Sequence, residues 1–144
     1  MVLMTPAADE LQSDFTIVSK PGLTWRLRFD GKPSGGMLDG TEAVKQMIAM
    51  TLRTERYRHA IFSHSYGAEL GELAGQPNDI RLQLRLQDAI EDAIAQDDRV
   101  RGVSAFAFTR PRKTAVGVSF RVETDQGAVP VRMIWEDGRI VEVE

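Results

Sequence analysis

The positions of the apolar residues along the chain predict two long amphipathic helices. The first covers about residues 41–54, where apolar side chains recur every three or four positions after a candidate N-cap at Asp39 or Thr41. The second begins after Asn78 or Asp79, either of which can cap a helix. Its apolar stripe has the spacing of one helix face and consists of Leu82, Leu86, Ala89, Ile90, Ala93 and Ile94.

Five further segments alternate apolar and polar residues with the period of a half-buried strand. One of them, Leu23–Phe29, precedes the first helix, and the others follow the second helix. Turn-forming residues separate the later segments, and Asp137-Gly138 is the strongest turn signal because a tight hairpin turn needs positive φ. The four later strands are predicted at Val100–Phe108, Ala115–Glu123, Ala128–Trp135 and Arg139–Val143.

The stretch between the two helices has no long periodic pattern. We interpret residues 60–67 as a short extended stretch closed by a turn at Gly67, and residues 68–73 as one helical turn that ends at Gly75. The order of elements is then β-α-(short connector)-α-β-β-β-β. This order predicts an α+β fold in which two main helices pack on a small, mostly antiparallel sheet.

Composition and length limit what the chain can be. Its 144 residues fit one domain of ordinary size, and we expect a flexible N-terminal tail over residues 1–14 and a single domain over residues 15–144. The chain has no cysteine, which excludes disulfides, thiolate metal sites and cysteine nucleophiles. A formal net charge of -3 predicts binding neither to nucleic acid nor to a membrane surface, and no apolar stretch approaches the roughly 20 residues of a membrane span.

The sequence shows no pattern that is typical of a catalytic, metal or cofactor site. Its two histidines, His59 and His64, lie five residues apart, whereas a metal-binding pair on a helix has i, i+4 spacing. Ser63 and Ser65 lack the strand-turn-helix context of a nucleophile elbow. Acidic pairs such as Glu91-Asp92 are typical of a solvated helix face. We therefore predict that the protein is not an enzyme and binds no metal or cofactor.

Two features of the sequence favour contact with partner proteins. Glu55, Arg56 and Arg58 surround Tyr57 directly after the first helix, and carboxylate beside guanidinium predicts a fixed charge network at a rigid junction. A solvated helix end is the alternative interpretation of these charges. The last two strands carry few Lys or Pro residues that would discourage edge pairing, so they could accept a foreign strand. The candidate residues there are Ile134, Trp135, Arg139, Ile140, Val141 and Val143.

The order of several short motifs closely resembles the XkdS family of phage tail proteins, which occur in tails of the PBSX type. The match runs from about Trp25 to about Val122 and so includes most of the chain. The matching motifs are Asp39-Gly40-x-Glu42-Ala43-Val44, Thr54-Glu55-Arg56-Tyr57-Arg58, Ile61-Phe62-Ser63, Tyr66-Gly67-x-Glu69-Leu70, Gly75-x-Pro77, Gln96-Asp97-Asp98-Arg99-Val100 and Phe106-x-Phe108.

The resemblance implies a structural role in a contractile tail. The XkdS family is similar to the baseplate wedge family that includes the phage W protein, whose members join the wedges to the first ring of the sheath in six copies. In that wider family a Glu-Pro-Arg motif after the first long helix contacts other wedge subunits. Glu55-Arg56 occupies the corresponding place here without the proline, which makes Glu55, Arg56, Tyr57 and Arg58 the wedge-contact candidates. The terminal strands are the candidates for strand addition by the sheath.

These expectations combine into one main hypothesis and two alternatives. The main hypothesis is a baseplate wedge subunit that helps to start sheath assembly, with other wedge subunits and the sheath as partners and the tail tube or hub as further candidates. It is expected in the virion, and in the host cytoplasm during assembly. The first alternative is a tail-associated cell-wall hydrolase that uses acidic residues with His59 or His64. The second is a generic tail assembly adaptor.

Overall fold

The computed structural model describes residues 22–28, 30–32 and 35–144. The predicted N-terminal tail lies outside these residues. The described chain has two layers, with two helices covering one face of a four-stranded sheet, so the predicted α+β class and order of main elements are confirmed. In chain order the elements are β1 Thr24–Trp25, β2 Met37–Leu38, α1 Gly40–Arg53, a 3-10 turn at Gly71–Leu73, α2 Ile80–Ile94, β3 Val100–Arg112, β4 Ala115–Thr124, β5 Gly127–Glu136 and β6 Arg139–Val143.

Both long helices begin where an aspartate caps their first amide groups. The Asp39 side chain accepts a hydrogen bond from the Gly40 N–H at 2.7 Å. The Asp79 side chain accepts from the N–H groups of Arg81 and Leu82 at 3.0 and 3.1 Å. Since a helix leaves its first amides without partners inside the helix, these carboxylates fix the start of each element. Both predicted helices are present. The bounds of α1 differ by one residue at each end from the predicted residues 41–54.

The large sheet is an antiparallel meander in the order β3-β4-β5-β6. Alternate side chains of its two central strands belong to the core, as the period-2 pattern predicts, although all of the first four residues of β4 are buried. The apolar stripes of the helices pack against them, and the core includes Ile48, Leu86, Ile90, Ile94, Val116, Val118, Phe120, Val122, Val129, Val131, Met133 and Trp135. Burying each large aliphatic side chain contributes about 1.5–3 kcal/mol.

The predicted first strand is wrong in extent and in burial. Only Thr24–Trp25 is a strand, it pairs with Met37–Leu38 as a separate two-stranded sheet, and the Trp25 side chain is 69% exposed. The segment is instead held by a side chain of α1. The Gln46 amide donates to the Trp25 carbonyl and accepts from the Leu27 N–H, both at 2.8 Å. Phe29, the predicted last residue of this strand, lies outside the described residues.

Two smaller predictions also need correction. Residues 60–67 are not extended, because two successive turns fold them, with hydrogen bonds from the Phe62 N–H to the His59 carbonyl and from the Tyr66 N–H to the Ser63 carbonyl. Strand β3 continues through Pro111 to Arg112, four residues beyond the predicted end at Phe108. It is an edge strand, where a residue without an N–H is tolerated. The Asp137-Gly138 turn is confirmed, with φ of 50° and 83°.

Candidate interaction surfaces

The chain between α1 and the 3-10 turn leaves the body of the protein and returns to the same point. The Arg56 N–H donates to the Ala68 carbonyl at 3.3 Å, and the Ala68 N–H donates to the Thr54 carbonyl at 2.9 Å. Gly67 closes this base with φ of 97°, and a Cβ there would lie 2.6 Å from the Thr54 carbonyl oxygen. Only glycine fits that position. We call residues 57–66, which project from this base, the aromatic loop.

Arg56 holds the base of the aromatic loop against α2. Its side chain is only 9% exposed, its Nε donates to the Gly67 carbonyl at 3.3 Å, and its Nη1 donates to the Asp92 carboxylate at 2.5 Å. Burial by itself lowers the pKa of Arg56, but the hydrogen bond and charge of Asp92 outweigh burial and leave the pKa raised. The guanidinium therefore stays charged and joins two segments that lie 36 positions apart in sequence.

The predicted charge network is divided into two separate ion pairs. Glu55 pairs with Arg58 at 2.5 Å on the solvent side, and this contact raises the pKa of Arg58. Arg56 pairs instead with Asp92, a residue that the sequence pattern assigned to a solvated face. Tyr57 lies between the pairs with φ of 68° and packs its ring against His64 at 4.5 Å. Of the four predicted wedge-contact residues, Glu55, Tyr57 and Arg58 are thus exposed, whereas the Arg56 side chain is largely covered.

The aromatic loop presents an apolar surface that the sequence analysis missed. The ring of Phe62 stacks on that of Tyr66 at 4.6 Å and meets the edge of His59 at 6.1 Å. Ile61 at the tip is 88% exposed, and Tyr57 is also exposed. Residues 57–66 contain no Asp or Glu, which is the signal that could have marked them. Exposed apolar side chains held on a fixed loop are typical of protein contact sites.

The second candidate surface is the pair of terminal strands. Ile134 pairs with Glu142 and Trp135 pairs with Ile140, so Val141 is an extra residue in a β-bulge. Strand β6 is the edge of the sheet, and the pairing continues to the last residue through two hydrogen bonds between the backbones of Arg132 and Glu144.

The predicted strand-addition residues divide between the core and the surface. Trp135 is buried, and Ile140 and Val143 pack partly buried against the core. Ile134 is half-buried, while the side chains of Arg139 and Val141 are exposed. The two exposed side chains are therefore the ones that a partner can reach directly.

The base of the aromatic loop lies close to the turn between the two terminal strands. A small cleft lies between the base of the aromatic loop and the β5–β6 turn, with Glu55 and Ala68 on one side and Gly138 and Ile140 on the other. A Cβ on Gly138 would lie 3.1 Å from the Gly71 carbonyl oxygen, which shows how closely the two backbones approach.

Metal-binding side chains are not clustered among the described residues. They contain no group of three His, Cys, Asp or Glu side chains placed to hold a metal ion. His59 and His64 contact aromatic rings of the loop. Within the same part of the chain, no helix has the length and apolar character needed to cross a membrane. What the structure brings together is a pair of candidate contact surfaces on one α+β body.

These features define a small α+β protein with two candidate contact surfaces, and comparison with known proteins gives its family. A family model described as the contractile injection system sheath initiator matches residues 23–127. The chain belongs to this family. It is also 33% identical over 118 residues to the phage-like element PBSX protein XkdS of Bacillus subtilis (strain 168), a match that includes 79% of this chain and 83% of the relative. The resemblance inferred from the sequence motifs is confirmed.

Membership of the family places the chain among the structural components of contractile injection systems. Its role is to initiate the sheath, so it acts together with sheath components of a phage-type tail and belongs to the tail of the particle.

Proposed function

We propose that the chain is a baseplate wedge subunit that joins the wedge to the tube-proximal end of the sheath. Six copies surround the tail tube, and other wedge subunits, the sheath and tube or hub proteins are the partners. The subunit enters the baseplate during assembly in the host cytoplasm and stays there in the virion. The observation that supports this proposal is that one body carries two different exposed features, the apolar tip of the aromatic loop and the edge strand β6.

The aromatic loop is the surface that suits the wedge. Its apolar tip and the exposed Arg58 face outward, while Arg56 and Gly67 fix its base and so reduce the ordering cost of binding. Arg56 supports the contact from inside and Tyr57 supplies an exposed ring. This assignment gives Glu55 a supporting part as well, since its carboxylate holds Arg58.

The edge strand β6 is the surface that suits the sheath. An edge strand offers backbone groups for pairing with an added strand, and the terminal strands continue this edge to the last residue. Val141 stands exposed at the bulge, where a lysine would discourage pairing.

Two substitutions on exposed side chains test the proposal in assembling particles. Ile61→Glu places a charge at the tip of the aromatic loop and should leave a folded protein that is absent from purified baseplates. Val141→Lys should leave a protein that enters baseplates but starts no sheath. Electron microscopy counts baseplates and sheathed particles, and circular dichroism checks the fold.

Matched variants separate loss of contact from general damage. Leu84→Glu changes an equally apolar, exposed side chain on α2, and Val141→Thr keeps a β-branched residue at the bulge. Both should give sheathed particles in normal numbers. Normal particles from Ile61→Glu would remove the wedge assignment of the loop, and normal sheaths from Val141→Lys would remove the sheath assignment of β6.

A further inference from the structure

Helix α2 has an exposed face opposite the apolar stripe that it buries. Ile80 and Leu84 are 66% and 54% exposed and lie one turn apart, so they form an apolar pair near the start of the helix. Charged side chains continue the exposed face toward the end of the helix. We call the whole set the α2 face, and its members are Ile80, Arg81, Leu84, Arg85, Asp88 and Asp92. The α2 face is about 18 Å long and is open to a partner.

The charges of the α2 face are divided between the two halves of the helix. Arg81 and Arg85 lie in the first half, and Asp88 and Asp92 lie in the second. The first turn holds no acidic residue and the last turn no basic one. The helix dipole favours the opposite arrangement, because it stabilises anions near the N-terminus and cations near the C-terminus. Beyond the capping Asp79, the order of charges is therefore unfavourable for the helix by itself.

Contacts within the chain leave most of these charges available. The side chains of Arg81 and Asp88 form no ion pair or hydrogen bond with another described residue. Arg85 donates to a neutral side-chain amide at 3.3 Å. Asp92 accepts from Arg56, but its side chain remains 58% exposed, and a carboxylate can accept from a second cation. The α2 face can therefore form further ion pairs.

The order of charges makes the α2 face complementary to a second copy of itself. The pair Arg81 and Asp92 and the pair Arg85 and Asp88 have the same midpoint along the helix. A two-fold axis through that midpoint, with the two helices antiparallel, brings each arginine opposite an aspartate of the other copy. The negative C-terminal end of each helix then lies beside the cations of its neighbour, which offsets the unfavourable order within one helix.

We propose that the free protein forms a two-fold dimer in which the α2 faces of two copies pack antiparallel. Arg85 pairs with the partner subunit's Asp88, and Arg81 pairs with the partner subunit's Asp92. The Leu84 side chains pack beside the two-fold axis. One helix from each copy gives a small interface, so the dissociation constant should lie between about 1 µM and about 1 mM.

The dimer belongs to the protein before assembly. Neighbours in a ring of six copies around one axis meet head to tail, whereas a two-fold contact uses the same surface on both copies. The dimer is therefore separate from the contacts of the proposed baseplate, and it neither depends on the aromatic loop nor on the edge strand β6.

Two charge reversals test the dimer in solution. Arg85→Glu and Asp88→Arg each place like charges opposite each other across the two-fold axis, so each variant by itself should self-associate at least about tenfold more weakly than the natural protein. An equimolar mixture of the two variants restores opposite charges at both contacts. The mixture should form dimers with a dissociation constant within about threefold of the natural value. Sedimentation equilibrium of the full chain at low ionic strength measures all of these constants.

Controls separate the α2 face from net charge and from damage to the fold. Arg121→Glu and Glu123→Arg make the same charge changes on exposed side chains of β4 and should leave the dissociation constant unchanged. Circular dichroism checks that every variant is folded. A natural protein that stays monomeric at 1 mM, a mixture of folded variants that stays monomeric, or an equal weakening by the β4 variants overturns the proposal.

Leu84→Glu distinguishes this proposal from the proposed function. It places a charge beside the two-fold axis and should make the free protein monomeric, yet it should still enter baseplates because the ring does not use this contact. A Leu84→Glu protein that still forms dimers as the natural protein does would overturn the dimer and leave the wedge and sheath assignments standing.

Discussion

The aromatic loop and the terminal strands are held in place by different kinds of interaction. The base of the loop depends on a few polar contacts, in which Arg56 joins the Gly67 carbonyl to the Asp92 carboxylate. The terminal strands depend on a continuous backbone ladder and on side chains such as Met133 and Trp135 that are buried under the helices. The aromatic loop is thus held by single residues, whereas the terminal strands are held by a repeated pattern of backbone hydrogen bonds and buried side chains.

This difference predicts how each surface tolerates change. Hydrophobic burial is spread over many contacts and is not weakened by added salt in the way that ion pairs are. At the base of the loop, the side-chain hydrogen bonds to Gly67 and Asp92 both come from the Arg56 guanidinium. Removing that one side chain takes a hydrogen-bond donor from the Gly67 carbonyl and from the Asp92 carboxylate. We therefore expect the loop to loosen locally, whereas damage under the strands lowers the stability of the whole domain.

The largest effect is expected from Met133→Ala. Met133 on β5 is 1% exposed and belongs to the core, so truncation leaves a cavity and should lower the free energy of unfolding by about 2–5 kcal/mol. Urea unfolding followed by circular dichroism measures the change. Arg132→Ala, one residue earlier on the exposed face, should cost much less. Similar losses for the two variants would contradict the view that burial holds these strands.

A smaller and more local effect is expected from Arg56→Met. This change keeps much of the side-chain volume but removes the hydrogen bonds to Gly67 and Asp92, which should cost about 2 kcal/mol. Hydrogen exchange should show faster opening of the Ala68 amide, with little change in the β5–β6 ladder.

Arg58→Met is the matched control for the loop. Arg58 belongs to the same motif, but its pair with Glu55 is exposed, so its loss should leave the melting temperature unchanged. If Arg56→Met and Arg58→Met change the melting temperature and the exchange of the Ala68 amide to the same extent, Arg56 does not hold the base of the loop.

The same contrast explains how much of the fold was predictable. The two helices and the four strands of the large sheet follow from local periodicity, and each helix start follows from an aspartate beside it. Strands β5 and β6, which carry Trp135 and Ile140, were predicted for this reason, because alternation along a strand is a local signal. The local spacing of apolar residues therefore predicted the helices and strands, whose formation depends on that spacing.

Contacts between distant residues were not predictable from spacing. Nothing adjacent to Asp92 marks it as the partner of Arg56, and nothing adjacent to Gln46 shows that its amide binds the backbone at Trp25 and Leu27. The apolar surface of the aromatic loop was not predicted for a related reason. The turns of the loop have no periodic pattern of apolar residues. Its exposed surface is therefore recognised only from the contacts that close its base.

The smallest expected effect concerns salt, and it tests whether the loop and the strands differ in kind. Raising the ionic strength from about 0.1 M to about 1 M shortens the Debye length from about 10 Å to about 3 Å and screens exposed ion pairs. The Asp92 side chain is 58% exposed, so its attraction for Arg56 should weaken in part. We expect the Ala68 amide, which donates to Thr54 at the loop base, to exchange about twofold to threefold faster at high salt.

The Arg132 and Glu144 amides of the terminal ladder should exchange at an unchanged or slower rate, because salt does not weaken burial. Equal acceleration at both places would mean that charge supports the two surfaces alike.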